Sequence, residues 1–206
     1  MRTFEWKQQP NLNFLAHIYL SFDDQPVAIG NFIADHIRGK QYRKFPEDVQ
    51  KGILLHRAID TYTDAHPITR TSTRRLHDNY HHYSPVIVDI YYDHFLARRW
   101  ERYSQQPLED YVEDFYTLLQ EEFHQLPSGV QRMVPYMVSD NWLLSYASLE
   151  GIARVLEGMN RRTALKSNMH MAINDLVEHY DAFEAEFHEF FDELIRFSKH
   201  KLASLS

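Results

Sequence analysis

Apolar residues recur three and four positions apart along most of the chain, and polar residues fill the positions between them. This is the period of helices that each bury one face. Asn13 to Leu20 is nearly all apolar, with Asn13 and His17 four apart, which predicts a buried first helix ending before Asp23-Asp24-Gln25-Pro26. A second run covers Val27 to Ile37 and is closed by Gly39. Pro46 suits the first position of a third helix, where its missing donor costs nothing, and Glu47 and Asp48 complement the helix dipole. That helix should end near Tyr62, because Asp64-Ala65-His66-Pro67 is turn chemistry. Ser84-Pro85 reads as an N-cap followed by proline and opens a helix to about Trp100. Pro107 to Phe123 forms an amphipathic helix. Val130 to Met137, Trp142 to Leu149 and Ile152 to Met159 read as short helices interrupted by Pro135, Asp140-Asn141 and Gly151. Leu176, Tyr180, Phe183, Phe187, Phe190, Leu194 and Phe197 then alternate spacings of four and three. Three heptads are short for a free-standing coiled coil, so this stripe fits a core-packing helix better than a dimer seam. No alternating strand pattern, repeat or low-complexity segment appears. The expectation is an all-α, single-domain helical bundle over residues 13–206, preceded by an extension at 1–12.

Two of these helical stripes carry charge where Leu would cost less. Val49, Ile53, His56 and Asp60 share one face, and Val86, Asp89, Asp93, Leu96 and Trp100 share another. A single inward His is usually a hydrogen-bonded core residue, and a single inward Asp usually caps a helix or pairs with Arg. Here His17, Asp35, His56, Asp60, Asp89 and Asp93 all fall on or beside helices dominated by Phe, Leu, Ile and Tyr. Carboxylates packed together raise one another's pKa unless a cation sits between them, which points to a divalent metal site.

Composition narrows the chemistry. The 206 residues are 44% hydrophobic and 25% charged and contain no cysteine, so thiolate metal sites, cysteine nucleophiles and disulfides are excluded. The net charge of −7 argues against nucleic acid as a partner. Residues 175–206 hold eight acids against Arg196, Lys199 and Lys201, so most of that charge lies in the tail. Basic clusters remain at Arg38-Gly39-Lys40 through Lys44, Arg70 with Arg74 and Arg75, Arg98-Arg99 with Arg102, and Arg161-Arg162 with Lys166, each of which taken alone reads as a solvated helix face. Met1 to Pro10 resembles neither a secretory signal nor an anchor. No apolar run approaches the ~20 residues of a membrane span, so a cytoplasmic protein is expected. The His-Glu-x-x-His, Gly-x-x-x-x-Gly-Lys and Gly-x-Ser-x-Gly signatures are absent, and only Glu121-Glu122-Phe123-His124 offers a Glu-x-x-His pair. A mixed His/Asp site on helices remains, of the kind metal-dependent phosphohydrolases use.

Asn13-Phe14-Leu15-Ala16-His17, Gly30-Asn31-Phe32-Ile33-Ala34-Asp35, Gly52-Ile53 with His56-Arg57-Ala58-Ile59-Asp60-Thr61-Tyr62-Thr63-Asp64, and Asp89-Ile90-Tyr91-Tyr92-Asp93-His94-Phe95-Leu96 resemble, in order, the motifs of acyl carrier protein phosphodiesterases. Trp142-Leu143, Gly158-Met159 and His179-Tyr180-Asp181 extend the resemblance over nearly the whole chain. It implies an all-helical fold distantly like the HD phosphohydrolases, removal of 4'-phosphopantetheine from holo-acyl carrier protein, and manganese or another divalent ion as cofactor. The HD pattern places His and Asp side by side. Here His56 is followed by Arg57, and Asp93-His94 is reversed, although His56 and Asp60 lie one helical turn apart and can converge on one ion.

On this reading His17, Asp35, His56, Asp60, Asp89 and Asp93 include the metal ligands. Arg57 holds a phosphate oxygen, His94 protonates the leaving alkoxide, and Asp64 orients either group. Arg38, Arg98, Arg99 and Arg102 would meet the acidic carrier protein. The alternatives are an HD-like enzyme acting on a nucleotide or another small phosphodiester, and a helical protein that binds the carrier protein without turnover.

Overall fold

The computed structural model describes residues 14–205, so Asn13 and the expected extension at 1–12 lie outside the described residues. Among the described residues every regular element is helical: α1 (Phe14–Tyr19), α2 (Gln25–Ile33), α3 (Glu47–Ala65), α4 (Pro67–Tyr80), α5 (Ser84–Arg98), α6 (Leu108–Glu121), α7 (Ser128–Ser139), α8 (Trp142–Ser145), α9 (Leu149–Arg162), α10 (Ala172–Glu178) and α11 (Tyr180–Ala203). No helix among them is long and apolar enough to cross a membrane.

Local chemistry sets many of the boundaries. The Asp24 carboxylate accepts the Val27 N–H at 3.1 Å, and Pro26 sits in the first turn of α2. The Ser148 hydroxyl accepts the Gly151 N–H at 3.0 Å and starts α9. Elsewhere tertiary packing overrides the sequence signal. The second helix stops at Ile33, and Ala34–His36 tightens into a 3₁₀ turn that swings Asp35 back toward α3. Gly151 and Pro135 interrupt nothing, since both lie inside helices. A Cβ on Gly151 would come within 1.8 Å of the Ser145 carbonyl, so the glycine is there for close packing of α9 on the end of α8. Ser84 does not cap α5; Tyr83 precedes the helix without a side-chain cap bond. The third helix runs past Tyr62 to Ala65. After a one-residue corner the unanticipated α4 follows, capped by His66, whose Nδ1 accepts from the Ile68 N–H at 3.3 Å.

The core is organised around α5, which is apolar on nearly all sides, as a helix enclosed by others must be. Ile87, Ile90, Tyr91, Phe95 and Leu96 are fully buried, and α1, α4, α9 and α11 pack around them. The long α11 crosses α3, α4 and α5 with Phe183, Phe187, Phe190, Phe191 and Leu194 buried. Its heptad-like stripe is therefore spent inside the chain. The most extensive helix pair is α2 with α3. A Cβ on Gly30 would lie 2.1 Å from the Val49 carbonyl, and one on Gly52 would lie 2.1 Å from the Val27 carbonyl. Only glycine at both positions lets the two backbones approach this closely, and the approach brings Asn31 beside His56.

Candidate metal centre

Four helices (α1, α2, α3 and α5) and the 3₁₀ turn at Asp35 deliver the polar groups of the site. α1, six residues long, is too short to be stable alone. It is held by Asp93 of α5, whose two carboxylate oxygens accept the Leu15 N–H at 3.0 Å and the Ala16 N–H at 2.9 Å. These bonds satisfy first-turn donors that the helix itself leaves unpaired. They also fix where α1 presents His17, two residues on.

Asn31, fully buried on α2, orients the rings. Its amide nitrogen donates to the His17 carbonyl at 2.6 Å and to the Ser21 hydroxyl at 3.2 Å. That turns its oxygen toward both imidazoles, where it accepts from His17 Nδ1 at 2.9 Å and His56 Nδ1 at 3.2 Å. With both Nδ1 atoms donating, each neutral ring presents its Nε2 lone pair to the other side. The rings stack with centroids 4.0 Å apart and are buried.

Both Nε2 atoms face Asp60, one turn beyond His56 on α3. His17 Nε2 lies 3.3 Å from Asp60 Oδ1, and His56 Nε2 lies 3.2 Å from Asp60 Oδ2 and 3.2 Å from Asp35 Oδ1. Ligand atoms of His17, His56 and Asp60 all lie within 4.8 Å of one another. Bonds of about 2.1 Å to a divalent ion separate neighbouring ligand atoms by about 3.0–3.4 Å, so the group has the dimensions and the donor chemistry of a cation site. A positive charge is required here in either case. Burial alone would lower the His56 pKa, but Asp35 and Asp60 hydrogen-bond its charged form and raise it to about 9. Burial alone would likewise raise the Asp60 carboxyl, but bonds from His17 and His56 hold it well below the usual carboxylate range.

Beyond Asp60 a cleft of about 130 Å³ opens. Asp60, Asp64, Asp89 and Asp93 border it on one side, and Phe190, Phe191 and Leu194 of α11 border it on the other. The site residues of α3 and α5 thus meet along one cavity. Asp89 has no hydrogen-bond or ion-pair partner among the described residues. Burial pushes its pKa well above the usual value, and the charges of Asp60, Asp64, Asp93 and Asp35 push it further. Asp64 is exposed at the rim and is also shifted upward, by partial burial and then by Asp60. Burial raises Asp93 to about 7 even though two backbone N–H groups favour its charge.

The other expected participants point elsewhere. The Arg57 guanidinium donates to the Ile37 carbonyl at 2.8 Å and the Gly39 carbonyl at 2.9 Å, which ties the loop after Asp35 to α3. His94 lies outside the cleft lining, with Nδ1 2.7 Å from the Tyr146 carbonyl and Nε2 2.9 Å from the Tyr180 hydroxyl. Arg99 and Arg102 pair with Glu184 and Asp192. Asn31 is absent from the candidate ligands, although it stands in the Gly30-to-Asp35 motif and is a lone amide inside the apolar run from Val27 to Ala34.

Comparison with known proteins identifies the family. The family model described as "Acyl carrier protein phosphodiesterase" matches residues 12–194. A protein of that name from Escherichia coli O139:H28 is 33% identical over 195 residues, covering 92% of this chain and 99% of its own. Namesakes from Photorhabdus laumondii and Yersinia pestis are each 30% identical over 191 residues, covering 92% of this chain and 96% and 99% of theirs. No solved structure matches significantly. The chain belongs to the acyl carrier protein phosphodiesterase family, a family of hydrolases.

Proposed function

We propose that the protein hydrolyses the phosphodiester joining 4'-phosphopantetheine to the serine of holo-acyl carrier protein, releasing the apo form, with a divalent cation, manganese by preference, at the His/Asp centre. The observation that carries this reading is the convergence of two imidazole Nε2 atoms and Asp60 at the end of a cleft large enough for a phosphate group.

His17, His56 and Asp60 hold the cation, and Asp35 either joins them or fixes His56. A cation there supplies positive charge for a non-bridging phosphate oxygen and acidifies a water molecule. Asn31 keeps both Nε2 atoms directed inward. Asp89, unpartnered on the cleft wall and kept protonated by its raised pKa, gives its proton to the serine oxygen as the phosphorus–oxygen bond breaks. Asp64, at the rim, holds the attacking water in line and takes its proton. Asp93 acts at one remove, by setting α1 and with it His17.

Incubation with holo-acyl carrier protein and manganese, followed by mass measurement of the intact carrier protein, tests the reading. Loss of the mass of 4'-phosphopantetheine is expected. An unchanged carrier-protein mass at stoichiometric metal would overturn it.

A further inference from the structure

Resting on the proposed carrier-protein substrate, we infer that the loop from Ile37 to Phe45 is the docking surface for the acidic helical body of that protein, separate from the groups that act on the phosphodiester. From His36 to Pro46 the chain holds Arg38, Lys40, Arg43 and Lys44 and no acidic residue, in a protein whose net charge is −7. All four side chains are exposed, and among the described residues none has a carboxylate partner. This sets the segment apart from the other three basic clusters, each of which has at least one member neutralised by a carboxylate. Arg75, Arg99, Arg102 and Arg161 are engaged by Glu186, Glu184, Asp192 and Glu157. Four unneutralised cations on one short segment make a surface complementary to an acidic protein.

The position fits the task. Arg38 follows Asp35 by three residues, so their Cα atoms are at most about 11 Å apart, and Asp35 itself contacts His56. The loop is braced by Arg57, the residue next to His56, which donates to the Ile37 and Gly39 carbonyls and lies over the Tyr42 ring at 5.4 Å. Most of the loop, Gly39–Lys44, is a 3₁₀ helix, entered through Gly39 at φ +53. On the other side the His36 ring meets α7 at Gly129, and Arg132, one turn further along α7, is exposed and close enough for its charge to act on His36. The acids that follow, Glu47 and Asp48, begin α3, and Asp48 is bound by Lys51 at 2.9 Å. A partner seated on this loop would have its serine-linked arm within reach of the cleft.

The test is the triple variant Arg38→Glu, Lys40→Glu, Lys44→Glu, chosen because these side chains are exposed and, among the described residues, none makes a hydrogen bond or ion pair. Binding to apo-acyl carrier protein, which lacks the reacting group, is measured first by calorimetry at low salt. Affinity should fall by on the order of tenfold or more, and equal affinity would overturn the inference. In turnover of holo-acyl carrier protein the variant should show a KM raised by a similar factor with kcat nearly unchanged. Hydrolysis of bis(p-nitrophenyl) phosphate should stay at the wild-type rate. An equal loss on that small diester would overturn the separation of docking from chemistry. Because the binding arm needs no turnover, a wild-type enzyme that binds the apo carrier protein but leaves holo-carrier protein intact would sink the proposed reaction and leave docking to be judged by binding alone.

Discussion

The two His/Asp clusters look alike as helical patterns and do different work. On α3, His56 and Asp60 stand one turn apart and converge with His17 and Asp35, because α1 and α2 present their own polar groups to the same face. On α5, Asp89, Asp93 and His94 diverge: Asp89 faces the cleft, Asp93 caps α1, and His94 bonds Tyr146 and Tyr180. Periodicity tells which face of a helix a residue occupies. What the residue does there is decided by the element packed against that face, and α5 is surrounded by several.

The largest effect should come from His56→Ala, which removes a converging ligand atom. It should lower kcat/KM by about 10³-fold, or about 4 kcal/mol of transition-state stabilisation. Asp93→Ala should instead act on stability, costing about 2–4 kcal/mol in urea unfolding, because two first-turn donors of α1 lose their acceptor in a buried place. Asp93→Asn, which keeps one acceptor, should cost less than half of that. If Asp93→Ala abolished metal binding with stability intact, the division of labour between the clusters would be wrong.

Next in size is the pH response of the metal-free protein. The His56 pKa is raised from 6.5 to about 9, so its contribution is fully present below pH 6.5 and is lost as pH rises through about 9. The unfolding free energy of metal-free protein, from urea titration, should therefore decline from pH 6.5 to 9, by a few kcal/mol at most. Added manganese should flatten the decline, since the ion replaces the proton. Asn31→Ala, which leaves both rings free to rotate, should weaken metal affinity by about 10–100-fold. The smallest effect should come from His94→Gln: about 1 kcal/mol of stability from an impaired buried bond, with kcat close to wild type.

Much of the fold could be read from the chain because its signals are local. Pro46 with Glu47 and Asp48 marks the start of α3, and the Phe stripe of α11 marks its buried face. The α4 helix carries no such signal, because its inward face is partly polar: Thr69 and Ser72 are buried beside Leu76, which leaves no apolar stripe. Pro135 and Gly151 misled in the opposite way, as breakers tolerated where packing favours a continued helix. At the site, the spacing of His56 and Asp60 was legible because one helix carries both. The role of Asn31 was not, because it depends on two rings 14 and 25 residues away. The capping by Asp93 links positions 77 and 78 residues apart, beyond any local pattern.

If His17, His56 and Asp60 share one cation, removing one of the three should empty the site. Equilibrium dialysis of manganese against wild-type protein and the His56→Ala variant at pH 8, with metal counted by atomic emission, decides the point. Stoichiometric manganese is expected on the wild type and a near-complete loss on the variant, with the helical content of both unchanged by circular dichroism. Equal metal retention by the two proteins would rule out a shared ion.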